Sequence, residues 1–155
     1  PHHPRSTDLP GCGWQRLRIF LTREVAARVE WEILMTSQVE EFLDRLYEEA
    51  AESHRLVNEA ILVLERNGPS EGRPLVDSIT ASKISNMKEL RPPSAGRSEI
   101  RILFVFDPWR SAILLVAGDK SGQWRRWYRG AIPEAEHLYA SYLKEREEEI
   151  GDERR

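Results

Sequence analysis

The chain has 155 residues and a mass of 18.0 kDa, with 40% hydrophobic and 32% charged residues and a formal net charge of −3. This suits one soluble domain with a real core and excludes a disordered chain; no apolar run approaches the roughly 20 residues that span a bilayer. The single cysteine, Cys12, excludes an internal disulfide and a Cys/His zinc cluster, so a reducing, cytoplasmic setting is expected.

Residues 1–28 show no clear period, and "LRIFL" is too short for the apolar stretch of a signal peptide. They read as an upstream or disordered extension, in which the adjacent His2 and His3 are incidental. From Val29, "VEWEILMT" alternates as a short strand does. Ser37 followed by Glu40 has capping-box spacing and predicts a helix. Val39, Phe42, Leu43, Leu46, Tyr47 and Ala50 fall on its apolar face. A slip near Glu52-Ser53 predicts a helical hairpin, with His54 as a packing or hinge residue at the seam. Asn67-Gly68-Pro69 ends the second helix.

Residues 70–82 read as a loop. "KISNMKELR" reads as a strand that stops at Pro92-Pro93. "EIRILFVFD" and "SAILLVAGD" are apolar on both faces and belong in the sheet centre, joined by a turn with Asp107 and Pro108 where a type I turn places them. Ile132-Pro133-Glu134 suggests a final helix with Pro at its first position. Residues 29–144 thus form the domain, and the charged tail over residues 145–155 has no apolar face and is expected to fray. The order is β-α-α-β-β-β-α, an α+β fold with one antiparallel sheet covered by helices.

Charge is segregated along this order. Residues 81–130 hold ten Lys/Arg against four Asp/Glu, a local +6, while residues 37–66 carry −5 and residues 134–155 carry −4. A cationic sheet region in an acidic chain points to a polyanionic ligand. No Gly-rich phosphate loop, H-E-x-x-H, Cys cluster or G-x-S-x-G is present, which argues against metal-dependent and serine-nucleophile chemistry; no cofactor is expected.

The motifs "VEWEILMTSQVEEFLDRL", "MKELRPPSAGRSEIRILFVFDP", "AILLVAGDKSGQW" and "WYRGAIPEAEHLYASYL", in this order, resemble the RelE/ParE superfamily of type II toxin–antitoxin toxins, and within it the phage-derived, HigB-like toxins. The resemblance implies a RelE-like sheet with an N-terminal helical hairpin and a C-terminal helix. It implies a native start near Val29 and an activity that cuts messenger RNA on the ribosome. It implies a cognate antitoxin, often of helix-turn-helix type, as partner. ParE-like relatives instead poison DNA gyrase, and a third reading is an inactive relative that only binds antitoxin or RNA.

Metal-free RNA cleavage needs a deprotonated 2′-hydroxyl, a stabilised phosphate and a protonated leaving oxygen. The resemblance puts Arg101 of "EIRILF" at the phosphate and Lys120 of "AGDK" at the catalytic cation's position, the alternative for Lys120 being a solvated lysine beside Asp119. Tyr128, within a run of interleaved rings and cations, reads as the ring near the scissile site or a proton-transfer group. A salt bridge from Arg101 to Glu89 or Glu99 is the structural alternative. If residue 101 pairs with 118, Lys120 points to the same side; a one-residue shift reverses that. The resemblance suggests RNA contact for Lys88 and Arg91, and Arg97 in its turn is placed to grip a phosphate; the alternative for each is an ordinary surface cation. Trp124, Arg125, Arg126 and Arg129 interleave rings and cations as single-strand binders do, although Trp124 and Trp127 also suit pinning a loop to the core. His137 and Tyr139 read as packing residues.

Overall fold

A computed structural model describes residues 31–153, together with the backbone of two short strands, β1 (Thr7–Asp8) and β2 (Trp14–Arg16). The rest of the expected extension over residues 1–28, including His2, His3 and Cys12, lies outside the described residues. Then come β3 (Glu32–Thr36), α1 (Ser37–Glu49), α2 (Ala51–Asn67), a 3-10 turn (Gly68–Ser70), β4 (Val76–Ser78), β5 (Lys88–Leu90), β6 (Ile100–Phe106), β7 (Ser111–Asp119) and α3 (Trp124–Glu153). The sheet order is β1-β2-β3-β7-β6-β5-β4. All pairs are antiparallel except β3–β7, which is parallel. A crossover through the α1–α2 hairpin is what lets β3 run parallel to β7.

Strand passes into helix without a loop. Thr36 is still extended (φ −73°, ψ 162°), yet its Oγ1 accepts from Val39 N at 3.3 Å and donates to Leu115 O at 2.8 Å. The cap is therefore Thr36, one residue before the Ser37 that spacing suggested. The hairpin breaks at Ala50 (φ −148°, ψ 71°), where the apolar pattern slips. Gly68 ends α2 at φ 55°, and a Cβ there would lie 2.2 Å from the Trp31 indole nitrogen, so both conformation and space demand glycine.

Two cores sandwich the sheet. Ile33, Met35, Ile102, Phe104 and Leu114 meet Val57, Ile61 and Leu64 of the hairpin on one face. Leu34, Leu103, Val105 and Ile113 meet Ala131, Ala135, Tyr139 and Tyr142 of α3 on the other. Between Leu103 and Phe104 the β6–β7 register shifts, so that Leu103 pairs with Val116 but Phe104 with Leu114. Leu115 is the extra residue of a bulge, and both Leu115 and Val116 turn to the α3 face.

Three expectations need correction. Residues 76–78 form β4 inside the stretch read as loop, and β5 occupies only the end of "KISNMKELR". The last helix starts at Trp124, nine residues before Pro133, which sits exposed within it. Proline inside a helix forfeits one hydrogen bond and costs about 3 kcal/mol, but the turns upstream are anchored by Trp127 and Tyr128 on the sheet. The helix also continues to Glu153 instead of fraying after Lys144, with Arg146 Nη1 3.3 Å from Glu149 and its guanidinium 5.6 Å over the Trp109 ring.

Candidate functional site

At the far end of the α3 face, away from the Asp107 turn, the apolar layer gives way to polar residues. Residues 101, 103 and 105 alternate toward α3, and Arg101 pairs with Gly118. The bulge at Leu115 resets the parity of β7, so that Gly118 and Lys120 face α3 and not Ala117 and Asp119. Gly118 has no side chain because Trp127 occupies that space: a Cβ would lie 2.1 Å from its Nε1.

The Arg101 side chain is only 9% exposed. Its Nη1 donates to Ile100 O at 2.8 Å, its Nη2 lies 3.9 Å from Glu99 Oε2, and its Nε has no hydrogen-bond partner among the described residues. A buried cation with an unfilled donor and a long ion pair is destabilising until an anion completes its coordination. Lys120 Nζ lies 3.7 Å from the same Glu99 oxygen and 5.5 Å above the Tyr128 ring. Both ion pairs exceed hydrogen-bond length, so the Glu99 carboxylate is loosely held.

Tyr128 Oη donates to Glu89 Oε2 at 2.5 Å, and Glu89 is buried on β5. Burial pushes the Tyr128 hydroxyl well above the ordinary tyrosine range, the Glu89 hydrogen bond pushes it further, and Arg101 and Arg91 oppose both. The phenol therefore stays protonated at neutral pH. Arg91 joins the cluster between Glu89 Oε1 at 3.8 Å and Asp77 Oδ2 at 3.3 Å. Asp119 sits behind it: desolvation raises its carboxyl, but the N–H groups of Glu99 and Ser121 and the Arg101 charge outweigh that and hold it below the usual range.

Of the residues singled out in the sequence, Arg91, Arg101, Lys120 and Tyr128 come together here. Trp124, Arg125, Arg126 and Arg129 lie exposed on the first turns of α3, with the Arg125 guanidinium 5.2 Å over the Trp124 ring. The two tryptophans part company, since Trp127 packs on Gly118 while Trp124 is 54% exposed. Arg97 lies exposed in the loop before β6. Lys88 stands on the other side of the sheet, opposite Phe104 and alternating with Glu89. His137 is exposed, contrary to the packing role read for it, and Tyr139 is buried and stacked on Tyr142. Sequence reasoning missed Glu89 as the partner of Tyr128; its only signal was a carboxylate between apolar Met87 and Leu90 in a strand.

The family model described as "Phage derived protein Gp49-like" matches residues 41–140. A Mycobacterium tuberculosis protein named as a candidate toxin, HigB2, is 53% identical over 97 residues, covering 63% of this chain and 48% of that protein. A second from the same organism, named as candidate toxin HigB3, is 49% identical over 111 residues, covering 72% of this chain and 92% of that protein. The chain thus spans about half the length of the first relative and nearly all of the second.

Proposed function

Because the chain belongs to the phage-derived Gp49-like protein family, we propose that it is the toxin of a type II toxin–antitoxin pair, a metal-independent endoribonuclease that cuts messenger RNA on the ribosome and so inhibits translation. A cognate antitoxin, of helix-turn-helix type, is its partner. The toxin names of its relatives support the first part. The observation that carries the second is Arg101, a nearly buried guanidinium with an unfilled Nε, flanked by Lys120 and Tyr128.

In this reading the scissile phosphate displaces Glu99 and receives the Arg101 guanidinium, which stabilises the charge of the pentacoordinate state. The 2′-oxygen attacks phosphorus, and its proton passes to Tyr128 Oη as the tyrosine's own proton moves onto Glu89. The raised Tyr128 pKa suits such a relay, in which no free phenolate accumulates. Lys120 Nζ gives a proton to the departing 5′-oxygen, leaving a 2′,3′-cyclic phosphate. Only RNA supplies the attacking hydroxyl. The exposed Arg125 and Arg129 hold the flanking strand by its phosphates.

The pairing of Arg101 and Lys120 with Glu99 favours a second reading, a non-cleaving toxin of the gyrase-poisoning type. Transcript-end mapping after induction in a bacterial host separates the two. The proposal expects new 2′,3′-cyclic phosphate ends. Arg101→Ala or Lys120→Ala should reduce them by roughly 10²–10³-fold, the size expected for one preorganised donor. Intact transcripts with DNA damage would sink the nuclease reading.

A further inference from the structure

A groove of about 310 Å³ opens one ring away from the Arg101 cluster, lined by Gln38 of α1, Val116 and Ala117 of β7, and Gln123, Arg126, Trp127 and Glu134 around the start of α3. Its floor is rigid. Where β3 has turned into α1, the unpaired edge of β7 is closed by Gln38, whose Nε2 donates to Ala117 O and whose Oε1 accepts from Ala117 N, both at 2.8 Å. Those two bonds fix the amide's orientation and use one of its two N–H donors and one of its two acceptor lone pairs. The Trp127 indole is held against Gly118 and meets the Tyr128 ring edge-on at 5.0 Å. Arg126 and Glu134 are exposed at the rim, and neither forms an ion pair among the described residues.

We infer that this groove is a nucleobase subsite that selects guanine on the nucleotide next to the scissile phosphate. A volume at the lower end of ligand pockets suits one base. An aromatic ring beside a phosphate site is the arrangement that stacks a base while its phosphate is held by cations. The rim decides which base. A carboxylate only accepts and a guanidinium only donates. Guanine alone presents two adjacent donors, N1–H and N2–H, on its pairing edge, which Glu134 can accept together. On its other edge it presents O6 and N7, the pair that arginine takes bidentately. Adenine and cytosine each bring a single amino donor to the carboxylate, and uracil brings one imide N–H.

The inference rests on reading the neighbouring cluster as an RNA-phosphate site, and its test is independent of cleavage. Fluorescence anisotropy of the full chain with 2′-O-methyl oligouridine hexamers carrying one central G, A, C or U measures binding to RNA whose attacking oxygen is blocked. The guanine hexamer should bind about tenfold more tightly than the others, the discrimination of one bidentate pair. Glu134→Gln should lose that preference, because an amide offers a donor and an acceptor and every base presents such a pair on its pairing edge; Arg126→Ala should reduce the preference without reversing it. Equal affinity for all four hexamers, no binding at all, or an unchanged guanine preference in Glu134→Gln overturns the inference. Guanine-selective binding with no new 2′,3′-cyclic phosphate ends on transcripts after induction in a bacterial host would instead sink the nuclease reading and leave the subsite standing.

Discussion

The two faces of the sheet are built to different ends. The hairpin face is a closed apolar layer in which Phe104, Leu114, Ile61 and Leu64 are fully buried. The α3 face is apolar only from the Asp107 turn to Leu103, and then gives its last layer to Glu89, Arg101, Lys120 and Tyr128. The first face contributes stability and the second gives some up. A core that forgoes a packed layer for a half-satisfied cation fits the anion site proposed for Arg101.

Phe104→Ala probes the hairpin face and should carry the largest stability effect. It leaves a cavity under the helical hairpin and should cost about 3–5 kcal/mol in denaturant unfolding. A loss under 1 kcal/mol would show that the hairpin packs loosely. Glu65 of α2, a buried carboxylate on that side, comes next. Burial pushes its pKa up to about 7, with Arg66 only partly opposing. A carboxyl raised in the folded state binds more protons folded than unfolded between its unfolded value and 7. Stability should therefore fall as pH rises through that window and level off above it. Glu65→Gln should flatten the slope and stabilise the protein at pH 8 by roughly 1–3 kcal/mol; a slope unchanged by the substitution would reassign the titration.

The smallest effect is expected on the α3 face, and its direction is the point. Arg101→Met removes the buried guanidinium with its orphan Nε and leaves Glu99 paired to Lys120. Stability should stay level or rise by about 1 kcal/mol, since replacing a poorly satisfied buried ion by an apolar group of similar volume is often neutral or favourable. If thermal unfolding instead shows a loss of several kcal/mol, Arg101 is a structural brace and the two faces are alike.

Much of the architecture was legible in local pattern. The β6–β7 hairpin follows from two apolar runs around Asp107-Pro108, and the helical hairpin from the slip before Glu52. The end of α2 follows from Gly68. The start of α3 was not legible, because Pro133 is a strong local signal and the anchors that override it, Gly118 under Trp127 and Glu89 under Tyr128, are remote in sequence. β4 escaped for a similar reason: three residues with one buried side chain carry no period.

The sequence by itself determined the order of elements, the segregation of charge, and which cations were candidates for an anionic ligand, since these depend on residue type and short-range spacing. Which cations share a face was decided only by the tertiary structure. A strand alternates with period two, so the single extra residue at Leu115 moves Gly118 and Lys120 to the side of Arg101. Lys88, one position from Glu89, is left on the opposite side. No local pattern marks that bulge; it exists because β6 and β7 must pair and bend beneath α3.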